Sequence, residues 1–468
     1  MSSRQDRQLA QRRSARSVTY GLALLLAGIV VLNAVIWLAM PAPYNQTVLH
    51  HAWDVIHGRS VDDSWGVMWS AVDYLRAPGP DPVYSELFFK RGQRFQYPPS
   101  SLFTLEGMLR LVGADHVRTN KHAIYESLTL NDALGWAFIA LTAASTAALL
   151  ELSLRRARLE EDTRMLLVAR CAIVCGLTMT FYPIVKAYTL GQIQVWINGV
   201  FALALLLWAR GRSGASGFLL GIVALIKPHF GLFLLWSALR RAWPFSIAFA
   251  ITVAIGLAVS VAVYGLANHL DYIRILRVLS QNGEVFYPNQ SVNGLLNRWM
   301  ELVDPKAYDS LNFKSLPPYN VWVYAGTLLA TVSFLAIALI RRSAGETPQQ
   351  RVLDFCVMAL CLTLASPIAW EHHFGVTLPM FAVLLATAGR RHLPWVGVSY
   401  VLIATFLPVT NMLAATPWNV AQSTLFAGAL MLLAMLVAAR RGEISLPDGR
   451  RAPSPGFDLP QRGDLPQR

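Results

Sequence analysis

Residues 18–40 read VTYGLALLLAGIVVLNAVIWLAM, an apolar run without a charged side chain. A run of this length can cross a bilayer as one helix, because the hydrocarbon core needs about 20 apolar residues. It is too long for the core of a secretory signal peptide and lacks a clean small-residue cleavage site, so we interpret it as a membrane anchor. Arginines crowd the residues before it, which predicts a cytoplasmic N-terminus at 1–17 and an external loop at 41–96.

The composition extends this interpretation to the whole chain. Hydrophobic residues make up 54% and charged residues 14%, with a mean hydropathy of +0.42. Soluble domains carry about 25% charged residues, so one membrane body is favoured over a series of soluble domains. The net charge of +13 would suit nucleic acid. However, the basic residues cluster at the ends of the apolar segments, as membrane topology requires, so no nucleic-acid partner is expected.

Further apolar segments predict an all-α, polytopic transmembrane helical bundle of about 10–12 spans within residues 18–440. They lie at 97–113, 131–153, 166–184, 192–209, 216–239, 244–265, 320–340, 352–368, 375–389, 393–410 and 419–439. Arginine pairs follow three of the late segments and are predicted to lie inside, which leaves 266–319 as a second external loop. Residues 441–468 are predicted to form a disordered cytoplasmic tail, because the last part of the chain is rich in Pro and Gly.

The middle of the chain allows two topologies. If all the segments cross, Arg156 and Arg212 lie outside, against the tendency of basic residues to remain in the cytoplasm. In the alternative, segment 97–113 and segment 216–239, which Pro228 interrupts, re-enter the membrane without crossing it. About ten crossings then remain, and every basic cluster lies inside. The sequence leaves both topologies open.

Polar residues mark the candidate site in and beside the predicted external loops. The candidates are Asp63, Asp62, Tyr97, Gln192, Lys227, Gln290, Glu371, His372 and His373. Each allows a structural interpretation as well. Asp63 could cap a helix, Gln192 could join two helices, and Lys227 could extend to the interface.

No metal site is expected from these residues. Glu371, His372 and His373 follow one another directly, so their side chains cannot share one helix face. The four cysteines lie in apolar stretches and are interpreted as small buried hydrophobic residues.

Together the candidates favour one kind of chemistry. A carboxylate can take a proton from an attacking hydroxyl group, and cationic or amide groups can hold a leaving phosphate. An apolar groove can hold a lipid chain. This combination suits transfer of a sugar from a lipid phosphate.

At these residues the sequence resembles glycosyltransferase family 87, polytopic enzymes of the GT-C fold that use polyprenyl-phosphate sugars. The resemblance covers about residues 20–440. Its pieces, in the family's order, are the acidic external loop, Tyr84, FQYPP at 95–99, Gly191-Gln192, GFLLGIVALIKP at 217–228, Asn289-Gln290-Ser291, and residues 366–373.

The resemblance implies a GT-C-like catalytic domain at 18–440 that moves a hexose or pentose, foremost mannose, from a polyprenyl-phosphate donor to a lipid-linked glycan acceptor. The reaction would invert the sugar, occur outside a bacterial plasma membrane, and need no metal or cofactor. Asp63 would be the general base, with Asp62 in reserve. The family more often has Tyr where this chain has Val67, and Asp73 lies in the same stretch, so the identity of the base stays open.

The resemblance also assigns the other candidates to the substrate. The imidazoles of His372 and His373 would lie near the donor phosphate. The remaining substrate-binding residues would be Glu371, Lys227, Gln192, Tyr97 and Gln290, in contact with the polyprenyl-phosphate sugar, the lipid-linked acceptor or surrounding membrane lipids.

Two other functions compete with this one. Buried Lys227 in a broken helix, together with Glu106 and Arg110, would suit a transporter or flippase of a lipid-linked or anionic solute. Against it, the sequence shows no inverted repeat, and its polar residues concentrate in external loops. A non-catalytic scaffold is the third possibility, but both loop aspartates are present.

Overall fold

The computed structural model describes residues 15–42, 45–77, 79–113, 121–157, 163–300, 316–340, 347–413 and 416–444. Within these ranges the regular secondary structure is helical, apart from one isolated β-bridge between Asn289 and Trp370. The predicted all-α fold is confirmed. The predictions for 1–14, for Arg341-Arg342 and for most of the tail lie outside the described residues.

The first half of the described chain forms ten α-helices and several short helical turns. They are α1 (Ala15–Ala39), α2 (Val48–Ile56), α3 (Asp63–Arg76), α4 (Leu102–Leu111), α5 (Lys121–Arg156), α6 (Arg164–Met179), α7 (Tyr182–Thr189), α8 (Gln194–Ala209), α9 (Ser213–Ile226) and α10 (Leu232–Leu239). A π-helix, Ser85–Lys90, follows α3, and the 3₁₀ turns Pro99–Ser101 and Pro228–Gly231 precede α4 and α10.

The second half places helices inside the late external loop as well as in the bundle. They are α11 (Trp243–Tyr264), α12 (Leu266–Asn282), α13 (Val292–Met300), α14 (Val321–Leu339), α15 (Pro348–Ala365), α16 (Thr377–Thr387), α17 (Leu393–Ala404) and α18 (Thr424–Arg440). The 3₁₀ turn Glu371–Val376 joins α15 to α16. The described parts of both predicted external loops therefore contain helices.

Several of these helices are long and apolar enough to cross a membrane. Five qualify within the described residues: Arg16–Ala39, Ile124–Arg156, Trp243–Tyr264, Val321–Leu339 and Asn419–Arg440. The pair α6 and α7, bent by 55°, qualifies as one broken span. The protein is thus a multi-pass membrane protein. Reaching about ten crossings requires shorter apolar helices to cross as well, and the full count stays a prediction.

Arginines from distant parts of the sequence meet at one end of the bundle, here called the arginine end. Arg156, at the end of α5, donates to the carbonyl oxygen of Ala209, at the end of α8. Arg240 and Arg440, which follow α10 and end α18, both bind Asp354 near the start of α15. These contacts tie α5 to α8, and they tie α10 and α18 to α15.

The loops that the sequence predicts to be external meet at the opposite end, here called the loop end. Ser60 donates to Asp132 of α5 over 2.5 Å, and the Asp63 amide donates to the carbonyl oxygen of Leu190 over 3.1 Å. The β-bridge of Asn289 with Trp370 adds the late loop to the same end. The first loop, α7 and the turn after α15 are thus neighbours.

These contacts agree with the topology of about ten crossings. Helix α4 lies between Tyr97 and Asp132, which both bind groups at the loop end, so its segment leaves that end and returns to it. Helices α9 and α10 form the converse hairpin, which starts and finishes at the arginine end. The break at Pro228 makes this hairpin possible, because proline supplies no backbone N–H and ends a regular helix. The side of the membrane that each end faces stays a prediction.

Candidate active site

Asp63 begins helix α3 at the loop end. Its carboxylate Oδ2 accepts a hydrogen bond from the Gln192 side-chain amide over 2.5 Å. The residue is open to solvent on one side, yet burial of the carboxyl among its neighbours raises its pKa, an effect that the Gln192 hydrogen bond partly opposes. A carboxylate with a raised pKa is a stronger base than an ordinary aspartate. Asp62 precedes it with an exposed side chain that makes no capping bond to α3.

Gly191 brings the Gln192 amide to this carboxylate. Its φ is +61°, a conformation that glycine adopts readily, and a Cβ there would lie 1.7 Å from the carbonyl oxygen of Val61. The Val61 amide in turn donates to the carbonyl oxygen of Thr189 over 3.0 Å. The Gly-Gln motif therefore lets the first external loop dock directly on the end of α7.

Tyr97 and Ser64 hold the Gln192 amide in place. Its Oε1 accepts from the Ser64 hydroxyl at 2.7 Å and from the Tyr97 hydroxyl at 2.9 Å. The Tyr84 hydroxyl donates to the carbonyl oxygen of Tyr97 over 2.6 Å and secures the backbone of that tyrosine. With Oε1 occupied by two donors, the Gln192 NH₂ group must face Asp63. Tyr97 thus positions Gln192, and its contact with substrate stays a prediction.

Lys186 was missed by the sequence analysis. It lies on α7 between two acidic groups, since its charge lowers the pKa of both Asp63 and Glu371 and so opposes their burial. Within the described residues, no carboxylate lies within ion-pair distance of this lysine. A lone lysine in the apolar stretch FYPIVKAYTL at 181–190 was the available signal.

Glu371 is buried at the start of the turn after α15. Its Oε2 accepts from the Tyr182 hydroxyl over 2.9 Å, and its amide donates to the carbonyl oxygen of Pro288 over 2.9 Å. Burial raises the pKa of Glu371 to about 7, although Lys186 acts in the other direction. This carboxyl therefore changes charge near neutral pH beside the lysine.

His372, His373 and Lys227 form the basic side of the site. The two imidazole rings lie 4.8 Å apart and perpendicular to each other. Lys227, only 9% exposed, lies at the tip of the α9–α10 hairpin, and its charge adds to burial in lowering the pKa of both histidines. Lys186 acts on His372 in the same way, which places both lysines around the pair. Burial disfavours the ammonium form of a lysine that has no carboxylate in ion-pair distance among the described residues, and a bound anion would favour that form, so the arrangement fits an anion.

Gln290 lies close by but is fully engaged with the backbone. Its Nε2 donates to the carbonyl oxygens of Tyr287 and Gln422, both at 2.8 Å, and its Oε1 accepts from the Phe426 amide at 3.0 Å. The adjacent Gln290 amide donates to the carbonyl oxygen of Ala369 over 2.7 Å. Gln290 thus fixes the segment that carries Glu371 and the histidines.

The described part of the chain contains no group of three His, Cys, Asp or Glu side chains that could hold a metal ion. The neighbours of the imidazoles in this site include two lysines, whose charge would repel a cation. Independence from metal stays a prediction.

Comparison with known proteins decides the family. The model of glycosyltransferase family 87 matches residues 126–367, slightly more than half of the 468 residues. The chain belongs to glycosyltransferase family 87. The family match includes Lys186, Gln192, Lys227 and Gln290, and it lies between Asp63 on one side and Glu371 on the other.

A curated relative is the polyprenol-phosphate-mannose-dependent alpha-(1-2)-phosphatidylinositol mannoside mannosyltransferase of Mycolicibacterium smegmatis. It is 27% identical over 230 residues, which are 48% of this chain and 48% of the relative. The chain therefore spans about half the length of this family relative. The predicted resemblance to family 87 is confirmed.

Proposed function

We propose that the protein is a glycosyltransferase that moves mannose from a polyprenyl-phosphate donor to a lipid-linked glycan acceptor at the loop end. The observation that carries the proposal is the pairing of an accessible Asp63 carboxylate with buried lysines for which no carboxylate of the described residues lies in ion-pair distance. The first group can act as a base, and the second can hold a phosphate. Family membership and the name of the mycobacterial relative support the donor and the sugar.

Asp63 carries the base role in the proposed reaction. It takes the proton of the acceptor hydroxyl as that oxygen attacks the anomeric carbon of the sugar. The bond between this carbon and the phosphate oxygen breaks, and its electron pair leaves with the polyprenyl phosphate. Attack from the face opposite the phosphate inverts the configuration. Asp62 is exposed and unconstrained, so it is the weaker candidate.

Lys186, Lys227 and the histidine pair stabilise the departing phosphate. Their charges and N–H donors are fixed before the reaction, so they gain most when negative charge develops on the leaving oxygen. Glu371 acts on Lys186 only through its charge, which favours the ammonium form of the lysine when the carboxyl is ionised. The hairpin α9–α10 brings Lys227 to the same place from the opposite end of the bundle.

Sugar transfer by the purified full chain tests the proposal. Wild type, Asp63→Asn and Asp62→Asn are assayed in detergent with a panel of polyprenyl-phosphate sugars and lipid acceptors, each with and without EDTA. We expect mannose transfer that survives EDTA, that Asp62→Asn retains, and that Asp63→Asn loses. Equal transfer by wild type and Asp63→Asn would refute the base assignment.

A transporter or flippase of a lipid-linked solute is the competing function. The observation that favours it is Lys227, a buried cation at the tip of a broken hairpin, as found in transporters. Proteoliposomes loaded with a lipid-linked sugar distinguish the two functions. If the lipid-linked sugar moves across the bilayer and no donor gives sugar transfer, the protein is a transporter and not a glycosyltransferase.

A further inference from the structure

A cleft of about 310 Å³ opens at the arginine end, far from the candidate active site. Its lining combines indole rings with guanidinium groups and one carboxylate: Trp208, Trp236, Arg240, Arg241, Ala242, Arg351 and Asp354. The volume lies at the lower limit of small-ligand sites. The proposed transfer reaction uses none of these residues.

The charges of the cleft do not balance. Asp354 is saturated, because it accepts from Arg240 at 2.9 Å, from Arg440 at 2.7 Å and from the Trp236 indole at 3.0 Å. Arg241 and Arg351 are exposed at the cleft, and no side-chain hydrogen bond or ion pair reaches either from the described residues. The cleft therefore presents an excess of positive charge beside two indole rings.

The backbone at Arg241 gives an independent sign of a ligand. Its φ is +55°, and no other described residue except glycine has a positive φ. Helix α10 ends there with hydrogen bonds from the amides of Arg241 and Ala242 to the carbonyl oxygens of Ala238 and Ser237, both at 2.9 Å. Such a helix end favours glycine, so an arginine costs free energy at this position.

Helix α8 shows what the same turn looks like with the favoured residue. Its end repeats the two hydrogen bonds, with Gly211 at φ +79° and the following Arg212. Both turns lie at the arginine end, but only Arg241 lines the cleft. Backbone strain of this kind clusters at functional positions, which makes the Arg241 side chain a candidate for binding.

We propose that the cleft binds the phosphate headgroup of an anionic phospholipid in the leaflet next to the arginine end. The forked guanidinium groups of Arg241 and Arg351 match the geometry of phosphate oxygens. Trp208 is partly exposed and suits the bilayer interface, where indoles concentrate, and basic pockets between helices recognise anionic headgroups. The lipid lies at the base of the α9–α10 hairpin. A free phosphate ion has the same chemistry as the headgroup, and the experiment distinguishes the two ligands.

Native mass spectrometry of the full chain in detergent measures the binding. The probes are dihexanoyl phosphatidylglycerol, dihexanoyl phosphatidylcholine and inorganic phosphate, each titrated against wild type, Arg241→Gly, Arg351→Gln and Arg212→Gln. We expect wild type to prefer phosphatidylglycerol. In each of the two cleft variants, the Kd for phosphatidylglycerol should rise about tenfold, the effect of losing one charge-assisted hydrogen bond. Arg212→Gln, an exposed arginine outside the cleft, should bind as wild type does.

Thermal unfolding of the lipid-free proteins shows whether a variant that binds less lipid is still folded. Arg241→Gly should unfold at the same temperature as wild type or higher, because glycine relieves the positive φ. Equal affinity for the two phospholipids, or unchanged binding by Arg241→Gly, overturns the proposal. If inorganic phosphate binds as tightly as phosphatidylglycerol, the ligand of the cleft is a soluble phosphate and not a lipid.

Discussion

The arginine end and the loop end both bury charged side chains, but the partners of the buried Asp354 and Lys227 differ. At the arginine end, Asp354 is 3% exposed and receives two guanidinium groups and an indole N–H. At the loop end, Lys227 is similarly buried at 9%, yet no carboxylate of the described residues lies within ion-pair distance. A buried charge whose ion-pair and hydrogen-bond partners are present in the protein holds helices together. A buried charge without such partners favours the binding of a ligand that supplies them. The difference separates the structural junction at Asp354 from the binding charge at Lys227, and the cleft arginines Arg241 and Arg351 resemble Lys227 in this respect.

Replacing Asp63 with Asn should have the largest effect. Asn keeps the shape of the side chain and an oxygen for the Gln192 amide, but it cannot accept the proton of the acceptor. We expect transfer to fall by about 10²–10⁴-fold, the usual contribution of a general base. Initial rates with a polyprenyl-phosphate mannose measure the loss, and Asp62→Asn is the matched control. A larger loss in the control would move the base role to Asp62.

Replacing Arg240 with Met should break the junction at the arginine end. One guanidinium group leaves the buried Asp354, and the backbone oxygens of Ala338 and Leu339 lose their donors. We expect the free energy of unfolding to fall by about 3 kcal/mol. Thermal unfolding in detergent measures it, with the exposed Arg212→Gln as control. Unchanged stability would show that Arg440 alone suffices for Asp354.

Replacing Lys227 with Met should give the opposite pattern at the loop end. The lysine has no carboxylate to leave uncompensated, and its burial is costly, so stability should stay the same or rise. Transfer should fall by about 10–100-fold, because the donor phosphate loses a cation. Thermal unfolding and transfer rates are measured on the same preparation. A large loss of stability would place Lys227 among structural charges, like Arg240.

The pH profile should show the smallest of these effects. Transfer needs ionised Asp63, whose pKa burial raises above the ordinary 3.8, so activity is lost as the pH falls through that raised value. The Gln192 hydrogen bond lowers the same pKa, so Gln192→Leu should move the acid limb to higher pH. Rates from pH 4 to 8 measure the shift. An acid limb that stays in place would separate Gln192 from the base.

Sequence reasoning reached the fold class because hydropathy is a local property. The run at 18–40 and its successors gave the membrane class and the all-α fold. The Gly-Gln motif and the Trp-Glu-His-His segment were found because polar residues are conspicuous among apolar ones. Lys186 was missed although it is equally conspicuous, because the predicted segment 166–184 ends two residues before it.

The order of the motifs could not show which side chains support and which face the substrate. Gln290 and Tyr97 are polar in the sequence, but backbone groups and Gln192 occupy them in the fold. Hydrogen-bond saturation depends on neighbours that are distant in the chain, so it cannot be derived from spacing.

The sequence by itself determined that this chain is an α-helical membrane protein with acidic and basic residues in and beside the loops between its apolar segments. Only the tertiary structure decided that Asp63 meets Gln192, a residue 129 positions away. It also decided that the α9–α10 hairpin returns to the end from which it starts. The tendency of a residue to be buried depends on its own apolar surface and can be derived from the sequence. The partners of buried polar groups depend on how whole helices pack against one another.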